Sequence, residues 1–223
     1  MRQLRQEFPD AVSYNRFVEV MPRAFFKMMM FMKLNAFGKC SGISFVDTMI
    51  PVCHNVRRYF NEVFNGLARN GKGAMGWCHG FKLHLLCNDS GEVITFYLTG
   101  ANVDDRDGRV WKVFAKELYG KVFAGRGYIK QELFGQGIHL VHGLKANMKN
   151  KLMPMWDKIM LRKRYIIECI NELLKNKANL VHSRHRSIHN FIMNLCSALA
   201  AYCFFDNKPE ALQVHVEQSR HEL

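Results

Sequence analysis

The sequence predicts a mixed α/β fold in which helices cover a β-sheet. From residue 43 onward, three stretches rich in branched and aromatic residues are typical of strands, and helical and strand-like patterns then alternate. An amphipathic segment, residues 161–175, closes the alternating region with apolar residues at the spacing of one helix face. Three strands followed by alternating elements are typical of a mixed sheet. The predicted strands are residues 43–52, 81–87, 93–98, 121–124 and 139–141.

Residues 1–40 are predicted to be helical, because Phe and Met recur there in an apolar band that Pro22 interrupts. The first strand, residues 43–52, follows and contains Asp47. A carboxylate within an apolar strand costs free energy unless it is paired or binds a metal. Asp47 is therefore either a strand-end residue bonded to a neighbouring amide or part of a functional site.

The second and third strands are predicted to form a hairpin. A turn-rich connection containing Gly71, Gly73 and Gly76 precedes them, and residues 88–91 form a good turn between them. Residues 100–108 form an acidic loop, and we expect its aspartates to cap a helix over residues 109–118. These aspartates are Asp104, Asp105 and Asp107.

The second half of the chain alternates helices and strands. A helix over residues 130–135 separates the last two strands, and a basic turn over residues 145–151 follows them. In the helix over residues 161–175, charged side chains recur at i, i+4 and i+11, on one side of the helix. These side chains form either a solvated face, where an ion pair stabilises by about 0.2–0.5 kcal/mol, or a metal-binding Glu with two phosphate-binding neighbours. The three residues are Arg164, Glu168 and Lys175.

The composition favours a polyanionic partner. The 223-residue chain has 32 Lys and Arg against 19 Asp and Glu, a formal net charge of +13. These basic residues are spread through the sequence, which favours nucleic acid over a membrane surface, and the apolar runs are too short to span a bilayer. Seven scattered cysteines without a CxxC pair, and the absence of a signal peptide, indicate reduced thiols in a cytoplasmic protein.

The stretch from residue 161 to residue 204 resembles the C-terminal part of bacterial insertion-sequence transposases of the DDE type, in the branch numbered nine-eight-two. The wider superfamily has a signature in which three residues separate an Arg from a Glu and six separate that Glu from a Lys. Arg164, Glu168 and Lys175 match this spacing, and Leu161 stands where the signature has Tyr. The resemblance runs from about residue 14 to residue 208. It implies a ribonuclease-H-like mixed sheet covered by helices, with helical N- and C-terminal segments.

The resemblance also implies a metal site, in which two Asp and one Glu hold two Mg²⁺ or Mn²⁺ ions about 3.5–4 Å apart. Asp47 corresponds to the first acid and Glu168 to the third, whereas the position of the second acid is Gly125. Glycine has no side chain to bind a metal, so we expect this copy to be impaired unless Asp104 or Asp105 replaces the missing acid. The residues implied to contact DNA are Arg164, Lys175, Arg126, Lys145, Lys149, Arg184 and Arg186.

The implied function is DNA transposition. The enzyme would cleave and transfer strands at the terminal inverted repeats of an insertion sequence, acting on double-stranded DNA at the bacterial nucleoid, with a homodimer as its candidate assembly. A non-catalytic DNA-binding transposase remnant is a second hypothesis, which Gly125 favours, and a ribonuclease-H-like nuclease acting on RNA or repair intermediates is a third.

The same resemblance divides the chain into three parts. Residues 1–40 would be a helical N-terminal remnant, residues 41–208 the catalytic domain and residues 209–223 a polar tail. Only 46 residues precede Asp47, whereas the family has a longer DNA-binding region there. We therefore expect an N-terminally shortened member.

Overall fold

A mixed β-sheet forms the centre of the computed structural model. Its central strand, β1, is antiparallel to β4 and parallel to β6, and the order β5-β4-β1-β6-β7 confirms the predicted mixed sheet. Two shorter strands, β2 and β3, pair with the start of β4. The strands are β1 (Ile43–Met49), β2 (Val52–Asn55), β3 (Arg69–Gly73), β4 (Gly76–Asn88), β5 (Val93–Gly100), β6 (Gly120–Ala124) and β7 (Ile138–His142). The structure describes residues 6–49, 52–55, 64, 66–73, 76–125, 137–143, 152–178, 180 and 185–211.

Helices precede the sheet, connect its strands and cover it, as predicted. A 3₁₀-helix, Met21–Ala24, follows α1, and a π-helix, Met32–Ala36, follows α2. Within the described ranges, no helix is long and apolar enough to cross a bilayer. The α-helices are α1 (Tyr14–Val20), α2 (Phe25–Phe31), α3 (Gly108–Phe114), α4 (Met155–Lys163), α5 (Tyr165–Asn176) and α6 (Ile188–Cys203).

Side chains alternate between the two faces of the sheet. The face that packs against α5 and α6 is called the α5 face, and its buried residues include Phe45, Leu83, Leu85, Ile166 and Leu199. The opposite face, called the α3 face, has buried residues that include Val46, Leu86, Val122, Trp111 and Phe114. Since Asp47 is two residues after Phe45 in β1, its side chain projects to the α5 face.

The predicted strand over residues 43–52 is divided in the structure. β1 and β2 both pair with β4 in one register, in which Met49 is opposite Leu83 and Val52 is opposite Gly80. The two residues between the strands lie outside the described part of the chain. The location of the strand is therefore confirmed, but its continuous extent is not.

A hairpin that the sequence did not predict occupies the end of the turn-rich connection. β3 pairs with the first residues of β4. The pattern was missed because glycine has a low strand propensity. Gly71 is required there by close packing, since a Cβ at this position would collide with the backbone carbonyl of Ala101.

The helix predicted over residues 161–175 is also two helices. α4 ends at Lys163 and α5 begins at Tyr165, and Arg164 between them has φ −55° and ψ −13°. The apolar face was predicted correctly, since Ile166, Ile167 and Ile170 are buried.

Other boundaries differ less. The helix predicted over residues 109–118 ends at Phe114, and its N-cap is Asp107, whose carboxylate accepts a hydrogen bond from the backbone N–H of Arg109 at 2.8 Å. The turn at residues 88–91 is confirmed, with Gly91 at φ +72°. The helix predicted over residues 130–135 and the basic turn at 145–151 lie outside the described residues.

Candidate active site

Asp47 lies near the end of β1 and contacts two residues of the helical layer. Its Oδ2 accepts a hydrogen bond from Nδ2 of Asn171 at 3.0 Å, and its Oδ1 lies 3.4 Å from Nη1 of Arg164. The side chain is 24% exposed. Burial raises the pKa of the carboxyl above its ordinary value, while the Arg164 guanidinium opposes that rise.

The junction between α4 and α5 places Arg164 between two carboxylates. Its Nη2 lies 2.5 Å from Oε1 of Glu168, while Nη1 faces Asp47. One guanidinium therefore bridges acids from the central strand and from α5. Glu168 is 54% exposed, so this carboxylate is open to an incoming ligand.

Asn171 is a site residue that the sequence analysis missed. It lies three residues after Glu168 and seven after Arg164, so it is on the same side of α5 as both. The spacing alone could have indicated it, but a neutral amide among apolar residues resembles part of the core.

Gly125 comes directly after β6, beside the end of β1. The parallel pairing of β1 with β6 runs from Ile43 opposite Lys121 to Val46 opposite Ala124. Continuing it by one residue brings Gly125 next to Asp47. Gly120 permits this register, because its φ is +75° and a Cβ there would collide with the backbone of Gly42.

The aspartates of the acidic loop form ion pairs away from this site. Asp105 pairs with Lys82 at 3.0 Å, and Asp104 pairs with Arg106 at 2.7 Å. The hydrogen bonds from Arg106 hold the pKa of the Asp104 carboxyl well below its usual range. Lys82 alternates with Leu83 along β4 and so belongs to the α3 face. The structure thus places these aspartates across the sheet from Asp47.

The basic residues implied to contact DNA are only partly described. Lys175 is half-buried in the last turn of α5, on the same side as Glu168, and Arg186 is exposed just before α6. The remaining four, Arg126, Lys145, Lys149 and Arg184, lie outside the described residues. Of the site residues predicted, the structure brings Asp47, Arg164 and Glu168 into contact.

The oxygen atoms around Asp47 are of the hard type that Mg²⁺ and Mn²⁺ prefer. Asp47 and Glu168 supply hard carboxylate oxygens, and Oδ1 of the buried Asn171 is an acceptor for which the described residues provide no hydrogen-bond donor. No group of three or more His, Cys, Asp and Glu side chains suited to a metal occurs in the described ranges.

Comparison with protein families matches a family model described as a transposase DDE domain to residues 37–188. The matched region is more than half of the 223 residues and contains Asp47, Gly125 and Glu168. A search of curated proteins gave no match to the chain.

Proposed function

We propose that this chain, which belongs to the transposase DDE domain family, cleaves DNA at the ends of a mobile element and transfers the cut strands. Membership of the family makes it a protein of the transposase and nuclease type, with a ribonuclease-H-like fold. The observation that carries the proposal is the bridge from Asp47 through Arg164 to Glu168. It unites two carboxylates that are 121 residues apart in the sequence.

Asp47 and Glu168 would hold the divalent cation, Mg²⁺ or Mn²⁺, that the family generally uses. When bound, such a cation activates water or a DNA 3′-hydroxyl and offsets charge on the leaving oxygen. Arg164 offers a planar fork and Lys175 a point charge on the same side of α5. A DNA backbone lying along this helix would therefore meet both residues.

The proposed activity is impaired in this copy because of Gly125. Two-ion catalysis needs an acid that holds both ions, and without it the charge on the attacking and leaving oxygens is poorly offset. Since Asp104 and Asp105 are engaged with Arg106 and Lys82, neither supplies a ready replacement. We therefore propose a one-ion site with slow cleavage.

The finer assignment follows the resemblance to the branch numbered nine-eight-two. We place the protein in the bacterial cytoplasm at the nucleoid, with the element's terminal inverted repeats as its DNA partner and a homodimer as its assembly on them. The net charge of +13 supports a DNA partner. The absence of a carboxylate at Gly125 favours a second function, that of a DNA-binding remnant without activity, while a ribonuclease-H-like nuclease is the third hypothesis.

The test is a nicking assay with the full chain and Mg²⁺ or Mn²⁺. One labelled duplex carries the inverted repeat that flanks the gene, and the other has random sequence. We expect slow nicking at the element end only, abolished by Asp47→Ala and unaffected by Asp206→Ala, which removes an exposed aspartate beyond α6. Equal cleavage of both duplexes would favour the nuclease, and binding without cleavage would favour the remnant.

A further inference from the structure

We infer that Asn171 has two roles at this site. It positions the Asp47 carboxylate, and its amide oxygen binds the cation in partial replacement of the acid that is absent at Gly125. The inference rests on the proposed function, because it assigns a role at the same site. It goes beyond that function in naming a neutral ligand outside the three acid positions.

The hydrogen bonding of Asn171 is incomplete on one side. The residue is only 4% exposed. Its Nδ2 donates to Oδ2 of Asp47 at 3.0 Å, whereas its Oδ1 has no hydrogen-bond donor within the described structure. A buried acceptor without a partner costs free energy in the folded state. A cation or a water in its shell would supply the contact that this oxygen lacks.

Asn171 and Arg164 hold the Asp47 carboxylate through different oxygens. Arg164 lies 3.4 Å from Oδ1, and Asn171 donates to Oδ2. Contacts of this kind fix the orientation of a ligand and normally support its affinity for a metal. Asn171 therefore positions Asp47 independently of the charge on Arg164.

The chemistry of an amide oxygen suits a supporting ligand. Carbonyl oxygens are hard donors that bind Mg²⁺ and Mn²⁺ alongside carboxylates. An amide adds no negative charge, so it holds a cation more weakly than the missing Asp would. The site would consequently bind one ion with Asp47, Glu168 and Asn171, and the two-ion arrangement would stay incomplete.

The test is a Mn²⁺ titration of the full chain without DNA, in which electron paramagnetic resonance measures free Mn²⁺. Asn171→Leu keeps the number and branching of the side-chain heavy atoms but removes the amide, and we expect it to raise the Kd roughly 10- to 100-fold. Asn171→Asp should lower the Kd below that of the unmodified chain, because it adds a carboxylate. The matched control is Asn176→Leu, at an exposed position of the same helix, which should leave the Kd unchanged.

The outcomes separate this inference from the proposed function. If Asp47→Ala loses the ion but Asn171→Leu and Asn171→Asp leave the Kd unchanged, Asn171 has no role and the proposed function stands. If both substitutions at Asn171 weaken binding, the hydrogen bond donated to Asp47 matters but the amide oxygen is not a ligand, and the ligand role is overturned. A chain that binds no Mn²⁺ overturns the ligand role, and the nicking assay then decides the proposed function. Thermal unfolding in EDTA checks that each variant folds. If Asn171→Leu does not fold, the Mn²⁺ affinity of Asn171→Asp decides the ligand role: a lower Kd supports it, and an unchanged or higher Kd overturns it.

Discussion

The Asp47 carboxyl is subject to opposing influences on its pKa. Burial favours the neutral acid, while Arg164 and the hydrogen bond from Asn171 favour the carboxylate. Its partners are the backbone of the neighbouring Thr48 and two residues far along the chain, Arg164 and Asn171. The bond to the backbone of Thr48 agrees with the structural interpretation of Asp47, and the contacts with Arg164 and Asn171 are those that the functional interpretation requires, so the functional role stays a prediction.

At Gly125, we expect that Gly125→Asp will increase Mn²⁺ affinity and Mn²⁺-dependent nicking of an element end. The reason is that Gly125 follows β6 where the register places it beside Asp47, so a new carboxylate would complete the acid set. Free Mn²⁺ and labelled nicked DNA are the measured quantities.

The control for this substitution is Gly125→Asn, which has nearly the same size without the charge and should gain less. Robust nicking by the unmodified chain that Asp47→Ala abolishes would show that the second acid lies elsewhere.

The buried His84 should make stability depend on pH. Its Nε2 contacts Oγ1 of Thr99 at 2.9 Å, and within the described structure its Nδ1 has no hydrogen-bond partner. Burial lowers its pKa from 6.5 to about 4. As pH falls from about 6.5 to about 4, the unfolded chain binds a proton that the folded chain does not, so stability falls by about 3 kcal/mol.

Urea unfolding of the unmodified chain and of His84→Leu between these pH values tests this expectation. His84→Leu should show a flatter pH dependence, whereas His189→Leu, at an exposed position of α6, should behave like the unmodified chain. Equal pH dependence in all three proteins would contradict the assignment to His84.

At the scale of elements, the junction between α4 and α5 could not be predicted from the sequence. The amphipathic pattern is continuous across Arg164, and no Pro or Gly marks a break there. A tertiary contact coincides with the break, since Arg164 meets Asp47 and Glu168 at that point. Periodicity predicted which side of the helix is buried, but it carries no information on a break of this kind.

Arg164→Ala should weaken binding to element ends more than Lys158→Ala does. Both changes remove one positive charge, but Arg164 presents its fork beside the acids, while Lys158 is exposed on α4. Fluorescence anisotropy with a labelled element end, in EDTA and in Mn²⁺, compares the two. An equal loss of DNA affinity in the two variants would mean that the charged side of α5 is only a solvated face.

The short helix α3 should depend on its N-cap. Asp107 accepts a hydrogen bond from the backbone N–H of Arg109, so Asp107→Ala should reduce the free energy of unfolding by about 0.5–2 kcal/mol. Asp104→Ala removes a carboxylate from the same loop without uncapping the helix, and it should cost less. Chemical denaturation measures both, and a larger loss for Asp104→Ala would contradict the capping role.

At the scale of the whole molecule, the strands of the five-stranded order and the hairpin that pairs β4 with β5 were predictable, and the other pairings were not. Runs such as residues 93–98 are apolar enough to indicate strands on their own. The order β5-β4-β1-β6-β7 depends on contacts between distant residues that periodicity cannot report. The grouping of Asp47 with Glu168 likewise came from a family resemblance, while Asn171 was missed because an amide among apolar residues resembles part of the core.

DNA binding by the whole chain should weaken steeply with salt. The net charge of +13 indicates a contribution from released counterions, with a log–log slope of roughly −0.9 for each phosphate neutralised. Filter binding or anisotropy between about 50 and 200 mM salt measures the slope. A binding constant that does not change over this range would contradict recognition through phosphates.

The hydrogen bond between Asp47 and Asn171 also has a consequence for protein synthesis. The two residues are 124 positions apart, and a ribosome adds about 5–20 residues per second. Roughly 6–25 seconds therefore pass between the synthesis of Asp47 and that of its partner. During this interval the nascent chain carries the first acid without the helix that completes the site. Under the proposed function, the chain therefore gains its DNA-cleaving activity only after the second half of the polypeptide has been made.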